Sequence, residues 1–361
     1  MPRTVRFTAP RTVDVAAFDA AAVGPGEVRV ATTSSGISAG TELTAYRGTN
    51  PYLTSTWDPV QRLFTGAHPE QPSYPLVGWG YSEVGRVVEV GAGVGTEPGD
   101  VAAGDVVWGI WGHRSEAVLP AAALRGHRLP EGLDPVAGCF VRVGAIALNA
   151  VLAADAGLGD TVVVLGQGVI GLLATRFAAL SGARVLAVEG VPARRERARA
   201  LGAAEVLDPG PDAAAAVRAL TRGRGADMAI DLSGAYPALH EATRLVGADG
   251  RVVAAGFYQG GAADLRLGEE FHHNRVEVVA SQIGAVPLRK RARWDVARLQ
   301  ETVVDLLAAG QPDVGALVSH RFDVADAPAA YELLDTRPGE ALQVVLDFPE
   351  NSAPQDTGGA L

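Results

Sequence analysis

Residues 159–171 read GDTVVVLGQGVIG. Val162, Val163, Val164 and Leu165 make an apolar strand that runs directly into Gly166-x-Gly168-x-x-Gly171. Leu172, Leu173, Phe177 and Leu180 then recur at helical spacing. In this strand–turn–helix context Gly166 permits the tight turn, Gly168 lets a pyrophosphate approach the backbone, and Gly171 lets the helix pack closely on the strand. The residues between them, Gln167, Val169 and Ile170, complete a backbone cradle whose helix N-terminus favours an anion. The expected ligand is a nicotinamide dinucleotide.

The next apolar run, Arg184 to Val188, ends in Glu189, about 18 residues beyond Gly171, where an acid accepts hydrogen bonds from the adenosine ribose. This favours NAD; Arg194 and Arg195 follow closely and keep NADP open as the second choice. A solvated strand end is the competing reading of Glu189. Farther on, ADMAIDLSG and GRVVAAGF are apolar runs ending in Ser233 and in Gly256 and Phe257, where the carboxyl ends of a doubly wound sheet hold ligands. Their backbone is expected beside the nicotinamide, against the plainer reading that these glycines only close loops.

Apolar runs alternating with Ala- and Arg-rich helical segments make residues 142–286 a βαβ array, hence a parallel sheet. Residues 1–141, rich in Val, Gly and Pro with short alternating runs, read as a compact, mostly β domain. Residues 287–350 hold a helix and short strands expected to return to that first domain. The tail 351–361, NSAPQDTGGAL, is expected to be disordered. The run Val276 to Ser281 reads as the last strand of the cofactor sheet, an open edge that invites a homodimer.

The chain has 361 residues, 48% hydrophobic, with a formal charge of −10. That length suits two domains, and the charge argues against nucleic-acid binding, which needs clustered cations. The cluster Arg289, Lys290, Arg291, Arg293 reads as a solvated helix entry, with an anion site as the alternative. No uninterrupted apolar run of about eighteen residues occurs and MPRTVRFTAP lacks a signal-peptide pattern, so no membrane partner and a cytoplasmic location are expected. A single cysteine, Cys139, excludes an intrachain disulfide and a cysteine-rich zinc lobe.

SGISAGTEL (residues 35–43), GYSEVGRVVEVG (80–91), GDVV (104–107) and GDTVVVLGQGVIG (159–171) together resemble the medium-chain dehydrogenase/reductase superfamily along nearly the whole chain. The resemblance implies an α/β fold, a Rossmann doubly wound parallel sheet plus a GroES-like, mostly β catalytic domain, and an NAD(P)-dependent enzyme acting on a small molecule. It also locates departures. Ser38 falls where zinc members carry a cysteine, Tyr81 and Ser82 where they carry His-Glu, and Arg142 at the third ligand position. Zinc needs converging Cys, His or carboxylate ligands, so no metal is expected. GISAGTE with GY-x-x-VG is similar to the zinc-free branch containing bacteriochlorophyllide dehydrogenases and enzymes of specialised metabolism.

Without zinc, side chains must manage the proton and the oxyanion. Tyr81 is the first candidate, a phenol able to act as acid or base if Arg142 lowers its pKa; packing beneath the cofactor is its competing reading. The hydroxyls of Ser38 and Thr41 can pass a proton or merely cap a helix. Glu42 reads as a first-turn acid suited to a helix dipole, with a base or a ribose contact as the alternative. Asn149, His68, His113, His272 and His273 read as structural. Residues 50–71, with Tyr52, Trp57 and Phe64, read as a lid or binding loop, and Trp79, Trp108 and Trp111 as apolar walls or, equally, as core packing. The expected reaction is hydride transfer between nicotinamide and a secondary alcohol or ketone. Reduction of an activated C=C bond is the alternative, and a non-catalytic dinucleotide-binding protein the third reading.

Overall fold

A computed structural model describes residues 1–66 and 71–352; His68 and residues 353–361 lie outside the described residues. The chain forms two compact units, Met1–Phe140 with Gly315–Leu361, and Val141–Val314.

In the second unit six strands lie in the order Ala203–Leu207, Arg184–Val188, Thr161–Leu165, Ala226–Asp231, Val246–Ala254, Glu277–Ala280. Every neighbouring pair is parallel. The strand of the opening motif is central, and its residues are buried on both faces, which is why it reads as a continuous apolar run instead of an alternation. The order reverses between Thr161–Leu165 and Ala226–Asp231, leaving a crevice at the strands' carboxyl ends where ligands bind in such sheets.

Helix Val296–Ala308 also belongs to this unit, so the return to the first unit begins at Gly315 and not near residue 287. Packing explains the shift. The helix buries Leu299, Val303, Val304 and Leu307, and Val303 sits so close to Gly144 that a β-carbon there would lie 2.6 Å from its Cγ1.

The first unit is built on the long strand Glu27–Ile37, which pairs antiparallel with Glu83–Val90, Glu116–Pro120 and the C-terminal strand Gln343–Asp347. The last of these pairs parallel with Val318–Asp323. The short helix Pro349–Ser352 closes the described chain, and Asn351 Nδ2 donates to the carbonyls of Thr32 (2.9 Å) and Ser115 (2.6 Å). Asn351, the first residue of the expected disordered tail, is therefore held on the sheet, because its amide satisfies two backbone acceptors.

Strand Glu277–Ala280 is the sheet's outermost, with Val278 exposed. The basic cluster beside it serves the protein itself: Lys290 pairs with Asp155, and Arg289 reaches Asp155 at 3.6 Å and Glu277 at 3.8 Å. Pro135–Ala154 is long and apolar enough to cross a membrane, yet 83% of its most apolar 18-residue stretch is buried, as in a core helix.

Candidate active site

At the carboxyl ends of the parallel strands lies a cavity of about 760 Å³, lined by Gly166, Glu189, Gly190, Ser233, His240 and Arg244 among others. The three glycines of the motif stand in three different surroundings. Gly166 has φ +82°, a left-handed conformation, and a β-carbon would lie 3.2 Å from the Ser233 backbone. A β-carbon on Gly171 would lie 1.8 Å from the Gly166 carbonyl oxygen. Gly168, the N-cap of helix Val169–Leu180, has an ordinary φ of −66°, and a β-carbon there would meet nothing within 4 Å. Protein packing thus demands the first and third glycines and leaves the space beside the second open. That is the fit expected of a dinucleotide whose pyrophosphate sits on the helix N-terminus.

Glu189 is buried at the cavity wall, and its carboxylate accepts the N–H groups of Gln167 (2.7 Å) and Val191 (2.8 Å). The Gln167 side chain donates to Val164 O (3.1 Å) and accepts from Thr175 (2.9 Å). Gln167, read as part of the cofactor turn, thus braces that turn with both its amide and its side chain. Val169 and Ile170 open the helix, half-buried. Arg194 lies on helix Pro192–Ala200. Its neighbour Arg195 binds the carbonyls of Glu189 (2.6 Å) and Gly190 (3.2 Å) and pairs with Asp208.

The Ser233 hydroxyl donates to Asp231 Oδ1 (2.6 Å), and Tyr258 donates to Asp231 Oδ2 (2.6 Å). Burial raises the pKa of Asp231, against those two hydrogen bonds, which lower it. Ser233 therefore holds its loop through Asp231. Gly256 packs on Gly234, where a β-carbon would lie 2.4 Å from the Gly234 amide nitrogen. Phe257 beside it is exposed.

In the first unit Ser38 Oγ and Tyr81 Oη are hydrogen-bonded to each other. Beneath them Glu42, fully buried, accepts three hydrogen bonds: Ser38 N–H at 2.8 Å, His113 Nε2 at 2.7 Å and Tyr331 Oη at 2.6 Å. His113 Nδ1 bonds Ser35 Oγ and lies 3.9 Å from Glu83, whose other carboxylate oxygen accepts Trp111 N–H at 2.8 Å. Glu42 does open a helix, Glu42–Arg47, but its carboxylate is an anchor buried in the core and not a dipole partner in solvent. His113, which carries no partner in sequence, is central to this network. Thr41 caps the same helix without a side-chain cap bond.

Burial lowers the His113 pKa, but the charge and hydrogen bond of Glu42, with Glu83, outweigh it, and the net shift is upward. Burial pushes Glu83 up to about 7. Cys139, also fully buried, has its thiol raised by burial and by Glu83. Between pH 4.5 and about 7 the folded state keeps a proton on Glu83 that the unfolded chain has released, so stability falls as pH rises through that window. The raised His113 adds a slope of the same sign, its contribution being complete below pH 6.5. Glu83→Gln is therefore expected to stabilise the protein more at pH 8 than at pH 5.5, by on the order of 2 kcal/mol. Urea denaturation at both pH values measures it, and equal effects at the two would refute the assignment.

At Ser38 and Tyr81 the side chains are hydroxyls, which are not among the usual ligands of zinc. Ser38 and Tyr81 offer hydroxyls to each other, both nitrogens of His113 are engaged, and Cys139 is buried with a raised pKa. Among the described residues, the cluster that could converge on an ion is His240, Glu269 and Glu270, at the cofactor cavity. Its carboxylates face Arg266 (3.6 Å) and Arg244 (3.3 Å). Arg142 lies half-buried on helix Gly138–Ala154, in the second unit.

Trp108 and Trp111 are core residues, not walls of an open site: Trp108 stacks on His127 and Trp111 donates to Thr32 at 2.9 Å. Trp79 packs against the core near Phe7. Residues 50–65 form a short helical turn and the hairpin Thr56–Asp58/Leu63–Thr65, where exposed Tyr52, Trp57 and Phe64 cluster with ring centroids 5.5 and 5.2 Å apart. Asn149 is buried and donates to Ser281, Gln282 and Ala285. His272 and His273 are exposed.

Residues 169–301 match a family model described as zinc-binding dehydrogenase; that stretch contains none of Ser38, Tyr81, Ser82 and Arg142. Relatives include D-guloside 3-dehydrogenase of Escherichia coli, 28% identical over 94% of this chain and 98% of the relative. Another is 2-desacetyl-2-hydroxyethyl bacteriochlorophyllide A dehydrogenase of Rhodobacter capsulatus, 28% identical over 96% and 98%. Among solved structures, 2R,3R-butanediol dehydrogenase of Bacillus subtilis has the same fold, with a TM-score of 0.77 at 22% identity, covering 96% of this chain and all of that one.

Proposed function

We propose that this chain, an NAD(P)-dependent oxidoreductase with the medium-chain dehydrogenase/reductase fold, oxidises a secondary alcohol carbon of a polyhydroxylated, ring-shaped metabolite, or reduces the matching ketone, without zinc. The observation that carries this reading is the Ser38–Tyr81 hydroxyl pair, at the positions where the resemblance expects zinc ligands. Full-length similarity to a D-guloside 3-dehydrogenase supports the substrate class.

Bound nicotinamide supplies the hydride acceptor or donor at its C4. Tyr81, as phenolate, takes the hydroxyl proton of the alcohol while the carbinol hydride departs; in reverse the phenol returns that proton to the ketone oxygen. Ser38 orients the Tyr81 oxygen and bonds it in either protonation state. Thr41, on the same loop, is a further hydroxyl for proton transfer. Ser233, Gly256 and Phe257 frame the nicotinamide end, and Arg194 the adenosine end.

NAD is the preferred cofactor because Glu189, pinned by two amides, presents a fixed carboxylate to the ribose. A 2′-phosphate beside it is a like-charge contact costing several kcal/mol. Glu189→Gln is expected to shrink the preference for NADH over NADPH at least tenfold; an unchanged ratio of dissociation constants places the ribose elsewhere.

With labelled NADH and a panel of cyclic ketones and ketosugars, deuteride is expected on a carbinol carbon. Deuteride on a β-carbon of an enone instead identifies a C=C reductase, and no transfer to any acceptor a non-catalytic protein. Native mass spectrometry with equal NADH and NADPH tests the rest of the reading, a cytoplasmic homodimer paired through the exposed edge strand. Zinc-free dimers carrying NADH are expected; stoichiometric zinc overturns the zinc-independent reading.

A further inference from the structure

Two buried carboxylates, a histidine and a tyrosine lie below the hydroxyl pair, and the chemistry proposed above uses none of them. Leaving charges in the core without function is costly. Glu42 contacts the pair only through the backbone: its carboxylate accepts Ser38 N–H (2.8 Å), so it fixes where the Ser38 side chain begins. Glu42 is itself held by His113 Nε2 (2.7 Å) and Tyr331 Oη (2.6 Å), which come from a distant loop and from helix Ala327–Thr336 in the C-terminal return. Tyr331 is locked in turn, edge-on to Phe7 and stacked on Tyr46, with centroids 5.1 and 5.7 Å apart. His113 is fixed at its other nitrogen by Ser35.

We propose that Glu42, clamped by His113 and Tyr331, is a positioning residue that holds the Ser38 hydroxyl against Tyr81. The inference rests on the reading of Tyr81 as the proton-transferring group. Glu42 exchanges no proton with the pair; it removes the freedom of the loop, and a displacement of about 1 Å at such a site costs roughly 10²-fold in rate.

Non-additivity tests it. In full-length protein, Glu42→Gln is expected to lower kcat for the best substrate of the carbonyl panel about 10–100-fold with KM for NADH unchanged. In a Ser38→Ala background the same change should matter less than twofold, since Glu42 then has nothing left to position. A purely structural role would give the same loss in both backgrounds.

A second readout needs no substrate. With tyrosines labelled at Cζ, and the Tyr81 signal assigned by its loss in Tyr81→Phe, Glu42→Gln should shift that signal in the native background and leave it in place in Ser38→Ala. Tyr331→Phe, which removes one donor and keeps the ring, should shift it in the same sense and carries the test if Glu42→Gln does not fold. A Tyr81 signal unmoved by both variants, or moved equally with and without Ser38, overturns the proposal. If Tyr81→Phe leaves turnover unchanged, the reading of Tyr81 fails, whatever the signal shows.

Discussion

Tyr81→Phe is expected to lower kcat by about 10²–10⁴-fold, the range general acid–base catalysis supplies, while the dissociation constant for NADH changes less than twofold. The phenyl ring keeps the packing of Tyr81 and loses only the oxygen that bonds Ser38. The residues proposed to bind the dinucleotide, the glycine turn and Glu189, lie in the other unit. Stopped-flow hydride transfer and fluorescence titration separate the two quantities. Equal losses in both would mean that Tyr81 supports cofactor binding, and no loss in either would remove it from the reaction.

The glycine turn offers a matched pair. Gly168→Ala places a methyl group where no protein atom lies within 4 Å, at a φ of −66° that alanine adopts freely. The melting temperature should stay within about 2 °C, while the dissociation constant for NADH rises about 100-fold, equivalent to roughly 2.7 kcal/mol of lost pyrophosphate contact. Gly171→Ala adds the same methyl group 1.8 Å from a backbone carbonyl oxygen. There the helix must move off its strand, at a stability cost of about 3 kcal/mol or more. Calorimetry and titration of both variants check the contrast. A Gly168→Ala protein that binds NADH normally would show that the pyrophosphate lies elsewhere.

The contrast also shows what sequence can convey. The spacing Gly166, Gly168, Gly171 after four apolar residues gives strand, turn and helix, because each step is local and its physical cause acts within a few residues. The parallel order of the cofactor sheet follows from repetition of the same unit. The buried network is the opposite case. Glu42, His113 and Tyr331 are separated by 71 and 218 positions along the chain, and nothing local marks any of them as a partner of the others. A lone histidine reads as bland, and an acid in a first helical turn has a sufficient explanation in the helix dipole. What sequence did contain was a mismatch: an acid flanked by Leu43, Ala45 and Tyr46, all buried, on a helix too short to bury a charge without distant donors. The return point at Gly315 was hidden likewise, since the amphipathic helix Val296–Ala308 suits either unit until Val303 finds Gly144.

The solitary cysteine has a practical sequel. Cys139 has no solvent exposure and a pKa raised far above working pH, so it presents no thiolate to alkylating reagents or peroxide. The native chain should behave as a cysteine-free protein in the test tube, storable without reductant. A cysteine introduced at Val60, 89% exposed on the aromatic hairpin, would then be the single reactive thiol, ready for a fluorophore or spin label without first removing any native residue.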